Sequence, residues 1–395
     1  MKDEGKNNKE GIKNILLLGT VSFLNDIASK IILPILPLFI KSIGGGGMAV
    51  GIISGLGESI ASLFKMLAGF LSDKYGKRKP FVFGGYTISA ISKLFFAFAS
   101  SWPQVLLLRS LERLGKGIRS APRDAILAAS STKTKRGKSF GIHRAMDSGG
   151  AVLGAIIAFV LFWYLDFDFR KIFLVAGIFA FLSLIPLIFV KEKKQKPKEI
   201  SLKIGLKKLP KNLRIFIIIA TLFALGNFSY MFFVLKSQTY FSGKFATGIP
   251  ILLYILYNTS YTLFAVPAGV LSDKIGRKKV LFLGYALFGL VCLGFIFAKS
   301  TGMFVLLFIV FGLNYALVNA NQRAYVSDLA EESIRGTALG TFHMAISLAS
   351  LPAGIIAGFL FDLNPTFPFI YGALISFVVT IFFGLFQIKH TRKVY

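Results

Sequence analysis

Gly69-Phe-Leu-Ser-Asp-Lys-Tyr-Gly-Lys-Arg-Lys-Pro80 recurs in this chain as Gly269-Val-Leu-Ser-Asp-Lys-Ile-Gly-Arg-Lys-Lys-Val280, displaced by 200 positions. A second echo follows in the same order, where Arg136-Gly-Lys-Ser-Phe-Gly141 matches Arg335-Gly-Thr-Ala-Leu-Gly340. Two such pairs, each at the same place in the pattern of apolar runs, mark an internal repeat. Each copy is flanked by long apolar stretches. Runs such as Ile215–Leu225, Leu281–Ala298 and Met303–Leu313 carry no charged side chain.

Those runs set the class of protein. The 395 residues are 54% hydrophobic and 16% charged, with a mean hydropathy of +0.68. Soluble domains run nearer 45–50% apolar and about 25% charged. A bilayer core roughly 30 Å thick needs about 20 mostly apolar residues per helix. Spans are predicted at 14–41, 48–72, 80–99, 103–128, 139–163 and 170–190, then at 213–240, 248–272, 280–298, 303–327, 338–361 and 368–388. They use almost the whole length and leave no room for a soluble catalytic domain. The expected fold is an all-α integral membrane protein of twelve helices in two six-helix bundles. Residues 1–190 and 213–395 form the halves, and 191–212 form a basic linker between them. Within that linker, Ser201–Leu209 reads as a basic amphipathic helix on the membrane surface.

The formal charge of +28 raises the possibility of a nucleic-acid partner. Its distribution argues against one. Lys and Arg cluster at Lys74–Lys79, Lys133–Lys138, Lys191–Arg214 and Lys274–Lys279, whereas the alternate loops (Ser100–Gln104, Asp166–Lys171, Ser242–Thr247, Lys299–Gly302, Asp362–Phe367) carry few. Basic loops stay cytoplasmic during insertion, so both termini are expected in the cytoplasm of a cell-membrane protein. The polar Met1–Lys13 stretch leads into a segment too long for a signal-peptide core, which reads as the first span. Cys292 stands alone, so no intramolecular disulfide forms. His143, His343 and His390 have no metal-ligand spacing. Gly44–Gly47 lacks the Lys-Ser/Thr of a phosphate loop and reads as an external turn.

Gly69-x-Leu-x-Asp73-x-x-Gly76-x-Arg78-Lys79, between spans two and three, resembles the loop signature of the major facilitator superfamily. Its copy, with Gly269, Asp273, Gly276 and Arg277, resembles the second-half version. The resemblance implies two bundles around a central cavity, rocking to expose it to either side, and a monomeric transporter of a small solute rather than an enzyme. Parallel repeats of this kind are the plan of that transporter class. Physical reasoning gives the loop residues their roles. Gly69 allows close helix approach and Gly76 a tight turn. Lys77, Arg78 and Lys79 hold the loop at anionic lipid. Asp73 is expected to latch a cytoplasmic gate with Arg119 or Arg123 of span four. The plainer alternative is that these residues only set topology.

An ionisable group inside a membrane is expensive and marks a candidate site. Span one carries Asp26 and Lys30 one turn apart, able to pair. Span two carries Glu58 and Lys65, and span five carries His143, Arg144 and Asp147. In span four, Arg109, Glu112, Arg113, Lys116, Arg119 and Arg123 fall within an arc of roughly 120°, opposite Leu107, Leu111, Leu114 and Ile118. Such a stripe faces water, a cavity or buried counter-charges, and an ion-paired structural seam is the plainer reading. Arg109-x-x-Glu112-x-x-Gly115 also resembles the family's span-four motif, with Arg113 where glycine is common. Gly150-x-x-x-Gly154 resembles its antiporter motif, with Ala155 in place of proline. Across the repeat, Glu58 falls opposite Asn258, Asp26 opposite Asn227 and Arg109 opposite Ile309.

This asymmetry assigns proton coupling to Asp26, Lys30, Glu58, Arg109, Glu112, Arg113 and Asp147. Substrate contacts fall to Asn227, Tyr230, Asn258, Asn314, Asn319 and Arg323, with Lys236 nearby. A carboxyl poised between burial and a neighbouring base can load and release a proton. The expected function is proton-coupled export of small or amphipathic compounds, with no cofactor beyond the proton gradient. Uptake of an anionic metabolite or metal chelate is the alternative, suggested by the excess of bases. A receptor or membrane enzyme is disfavoured, since the spans carry no nucleophile–base or metal-ligand cluster.

Overall fold

The computed structural model describes residues 2–131, 136–192, 209–331 and 334–391, and among these there is no strand. Fifteen helices follow in order: α1 (Lys2–Ile32), α2 (Leu36–Ser42), α3 (Gly47–Tyr75), α4 (Lys79–Phe95), α5 (Trp102–Ala129), α6 (Arg136–Trp163), α7 (Phe169–Leu182) and α8 (Leu184–Ile188), then α9 (Lys211–Gly226), α10 (Tyr230–Gln238), α11 (Phe245–Ile275), α12 (Arg277–Phe297), α13 (Thr301–Leu329), α14 (Arg335–Leu363) and α15 (Phe367–Thr391). Paired as α1–α2, α7–α8 and α9–α10, with the rest single, they make twelve spans. Eleven of these are long and apolar enough to cross a membrane. The twelfth, α5, is 28 residues long and is set apart by its charged face. Residues 201–208, which carry most of the expected surface helix of the linker, lie outside the described residues.

The first span of each half is interrupted, for identifiable reasons. Between α1 and α2 stands Pro34, which lacks an amide hydrogen and disfavours helix in the residue before it. Between α9 and α10 the chain leaves helical geometry at Asn227, and Ser229 restarts it by accepting from the Met231 amide at 3.3 Å. The repeated loops turn where the sequence places glycine. Gly76 and Gly276 have φ of 64° and 93°, a conformation that costs a side-chain-bearing residue energy.

Two compact units emerge, one from Met1–Gly44 and Ile60–Leu202, the other from Gly45–Ser59 and Lys203–Tyr395. The first turns of α3 belong to the second unit and the rest of α3 to the first. In the first unit α1 packs on α6, α4 packs on α5, and α7 lies against α1 and α4. Small residues bring these helices close. A Cβ at Gly150 would lie 2.3 Å from the Phe23 carbonyl oxygen, and one at Gly154 2.4 Å from that of Ile27. Gly85 and Gly115 press α4 and α5 together in the same way, since a Cβ on either would meet the other's carbonyl oxygen. Small residues at helix contacts are the usual device where lipid supplies no hydrophobic drive to associate.

The second unit relies more on aromatic packing. Phe233 stacks on Phe311 at 4.2 Å and Phe295 on Phe369 at 5.2 Å, with Phe228 edge-on to Phe288 and Phe369. Cys292 is buried within this unit. The first turns of α3 join α14 through Gly47, Gly51, Gly354 and Gly358, where added Cβ atoms would strike the facing backbone. The Asp362 carboxylate accepts from the Gly47 and Met48 amides, the latter at 2.8 Å, and so caps the start of α3. The expected close approach at the loop glycines holds on one side only. A Cβ at Gly69 would come within 3.2 Å of Ala121, whereas one at Gly269 would find open space, so no neighbour requires a glycine there.

Gly154→Val should force α1 and α6 apart and cost about 1–3 kcal/mol, an overpacking penalty. Gly149→Ala, on the same helix with only Phe23 at 3.8 Å, should change stability by less than about 0.5 kcal/mol. Thermal unfolding of the purified protein checks the contrast.

Candidate functional site: the charged core of the first unit

Three charges on the α5 face are buried, while Arg113 and Arg123 are half-buried and Lys116 is exposed. Arg109, Glu112 and Arg119 are only 3–4% exposed, and Lys93 of α4 is 1% exposed. Arg109 Nη1 meets Glu112 Oε2 at 2.6 Å, and Arg113 Nε lies 3.8 Å from the same oxygen. One carboxylate thus faces two guanidiniums of its own helix, at spacings that place them on one side. Arg119 lies over the Tyr86 ring, 4.3 Å from its centroid, where the π face takes the place of a counter-ion. Lys93 Nζ donates to Asn25 Oδ1 at 2.7 Å and to the Asn25 carbonyl at 3.3 Å.

α1 and α6 close this core from the other side. Asp147 of α6 acts electrostatically on Asp26 of α1, as do Lys116 and Lys30. Asp147 Oδ2 also takes a 3.0 Å ion pair from Arg144. One turn before Asp26, Ser22 Oγ gathers His143 Nε2 at 3.0 Å, the Tyr86 hydroxyl at 3.2 Å and Arg123 Nη1 at 3.0 Å. His143 is therefore a hydrogen-bonded packing residue. No group of side chains able to hold a metal ion occurs among the described residues.

Several expected pairings are replaced. Beside Lys30, Asp26 is also acted on by Asp147, which α6 brings over because the glycine contacts set it tightly on α1. Asp73 pairs with Arg78 of its own loop at 2.8 Å, not with Arg119 or Arg123. Arg119 is occupied by Tyr86, and Arg123 by Asp124 at 2.9 Å and by Ser22. Glu58, grouped in sequence with the first-half acids, belongs to the second unit.

The repeated loop is tied down by residues that the motif does not include. Glu192 accepts from the Arg78 amide at 2.5 Å and the Lys79 amide at 3.0 Å, capping α4. Lys79 Nζ donates to the Ile188 carbonyl at 2.9 Å. Asn14 bonds the backbone of Lys191 in both directions, at 2.7 and 3.0 Å. The hydrogen bond to Glu10 raises the exposed Lys191 ammonium above its ordinary value. In the second copy Arg277 reaches Asp273 at 3.4 Å and also pairs with Asp328 of α13.

The candidates in the second unit divide. Tyr230 stacks near Tyr254 at 5.0 Å, and Tyr254, Tyr257, Tyr315 and Tyr261 continue as a row of rings. Asn319 hydrogen-bonds Tyr315, on which Glu58 and Arg323 both act electrostatically. Asn258 turns back to the Tyr254 carbonyl of its own helix at 2.9 Å. Asn314 is a correction, since it is buried and donates to the Gly284 carbonyl at 2.6 Å as a tie between α13 and α12. Asn227 ends α9. Lys93 escaped the reading of the sequence, although a lone lysine between Ile88 and Phe98 was there to be seen.

A sequence profile of the Major Facilitator Superfamily matches residues 18–256 and 246–394. An MFS-type transporter of Methanocaldococcus jannaschii is 47% identical over 382 residues, 96% of each chain. The multidrug resistance protein MdtH of Aeromonas hydrophila is 22% identical over 84% of this chain and 83% of its own. The nucleoside transporter NupG has a similar fold, with a TM-score of 0.82 at 17% identity over 94% of this chain and 99% of that one.

Glu192→Ala removes the acceptor of two amides at the start of α4. It should cost about 1 kcal/mol, as loss of a helix cap does, read as earlier thermal unfolding, with Glu192→Gln intermediate.

Proposed function

Since this chain belongs to the major facilitator superfamily and is a membrane transporter, we propose that it exports small amphipathic compounds in exchange for protons, by alternating access. The observation that carries this reading is the meeting of Asp26 and Asp147 inside the membrane. Two carboxylates at that range repel, and a single proton between them relieves the repulsion. Loading that proton removes one charge from a buried core, and losing it restores the charge. A proton therefore changes the electrostatic energy of the first unit by an amount that can bias a two-state protein.

The surrounding groups give this pair its setting. Lys116 and Lys30 act on Asp26, and Arg144 holds Asp147 from an exposed position, so the pair has bases on both sides. The Glu112–Arg109–Arg113 cluster is a fixed counterweight, with its carboxylate already committed to two guanidiniums. The energy source is the proton gradient, and no cofactor enters the cycle. Export is supported by the names of distant relatives, MdtH and the pneumococcal multi-drug resistance efflux pump PmrA, the latter 29% identical over 43% of each chain. On this reading it works in the cell membrane as a monomer with both termini cytoplasmic, an orientation supported by the alternation of basic and neutral loops.

The test is transport in proteoliposomes under an imposed pH gradient, across a panel of amphipathic solutes. Asp26→Asn and Asp147→Asn should each lower gradient-driven flux at least tenfold while leaving solute exchange at equal pH. Gradient-driven flux at the wild-type rate in both variants would refute coupling through this pair, and accumulation against an outward-directed export assay would reverse the direction.

A further inference from the structure

Tyrosine is gathered along one wall of the second unit. Tyr254, Tyr257 and Tyr261 follow at spacings of three and four and so share one face of α11, while Tyr230 of α10 lies 5.0 Å from Tyr254 between ring centroids. α13 answers with Phe311, Tyr315, Asn319 and Arg323, each one turn after the last. The two faces interlock. Tyr257 stacks on Phe311 at 4.7 Å, and Tyr261 meets Tyr315 edge-on at 4.9 Å. Gly312 permits this approach, since a Cβ there would lie 2.6 Å from the Tyr257 carbonyl oxygen. Ser260 Oγ ties the same two helices by donating to the Ile309 carbonyl at 2.7 Å. Behind the wall Phe311 stacks on Phe233 at 4.2 Å, so the rings rest on the packed core of the unit. Exposure rises turn by turn along α13: Phe311 is buried, Tyr315 and Asn319 are half-buried, and Arg323 is exposed.

An exposed charge within a membrane span faces water rather than lipid. Arg323 of α13 and Glu58 of α3, both exposed and both in this unit, act electrostatically on Tyr315, so the rim of the wall is wet. An aromatic lining with a few convergent polar groups is the usual make-up of a ligand site. We infer that this wall binds an aromatic ring of the transported molecule, and that the second unit thereby selects amphipathic solutes carrying a planar ring over aliphatic ones. Its tyrosines stand 4.9 to 6.3 Å apart, edge-on or tilted. A further ring can extend that arrangement with the same edge and offset contacts, which a saturated ring cannot make. Acid and base both act on Tyr315, so the wall reads ring character rather than net charge. Asn319 holds the Tyr315 hydroxyl, and Asn258 is turned back onto its own helix. The inference rests on the transporter reading above and names the class of molecule carried.

Two probes of one carbon skeleton test it on the purified full-length chain: naphthylmethanol and its saturated counterpart, decahydronaphthylmethanol. Calorimetric titration, with the heats of empty micelles subtracted, should show the aromatic alcohol binding at least tenfold more tightly. Tyr261→Leu and Tyr315→Leu should each bring the two affinities to within about threefold of each other. Tyr315→Phe keeps the ring and should keep the preference, a split between variants and probes that a packing role would not produce. Thermal unfolding shows whether each leucine variant is folded; should one fail, the other and the wild-type ratio decide. Equal binding of the two alcohols, preference for the saturated one, no binding of either, or a preference unchanged in both leucine variants would each overturn the inference. Aromatic preference without gradient-driven flux would sink the proton-exchange reading alone. Gradient-driven flux at equal rates for the two alcohols would sink this inference alone.

Discussion

A charge in hydrocarbon must be surrounded by other groups that solvate it, and α5 carries a stripe of charges through most of its length. The first unit is organised around that constraint. α4 lays against the stripe the ring of Tyr86 and the amine of Lys93, and α1 contributes Asn25 to hold that amine. The helices can come this close only because Gly85 faces Gly115, and Gly150 and Gly154 face the α1 backbone. Packing by small residues and burial of charge are thus one device. The first permits the separations at which the second is affordable.

The second unit repeats the chain path but not this solution. Where the first half has Arg109 in α5, the repeat has Ile309 in α13, and rings fill the space that charges occupy in the other half. Phe233, Phe288, Phe295, Phe311 and Phe369 pack against one another, and Tyr257 stacks on Phe311. Duplicated architecture has therefore diverged into one electrostatic half and one aromatic half. Glu58 follows this division spatially rather than by sequence, because the α14 glycines hold the start of α3 within the second unit.

Much of this was legible from residues alone. Apolar runs gave the spans, the doubled loop gave the repeat, and three- and four-residue spacing gave the charged face of α5. These are local, periodic signals. The pairings were harder to read, for a physical reason: an ion pair is decided by which helices approach, and the approach is decided by glycines scattered over several spans. Asp147 meets Asp26 because of Gly150 and Gly154, and nothing near Asp26 in sequence announces it. Lys93 was overlooked as a single charge in an otherwise ordinary span. Asn314 was misassigned because a polar side chain in an apolar helix reads the same whether it faces a cavity or ties two helices together.

Glu192 has one more consequence. The segment joining the two halves appears from composition to begin at Lys191, yet its first residues are bound to α1 and α4 through Asn14, Arg78 and Lys79. Lys191 and Glu192 are thus part of the first unit's own packing rather than of the connection between the halves. A gene split before Glu192 would separate the first half from the carboxylate that caps its fourth helix. The boundary at which this protein could exist as two chains is thus set by a helix cap.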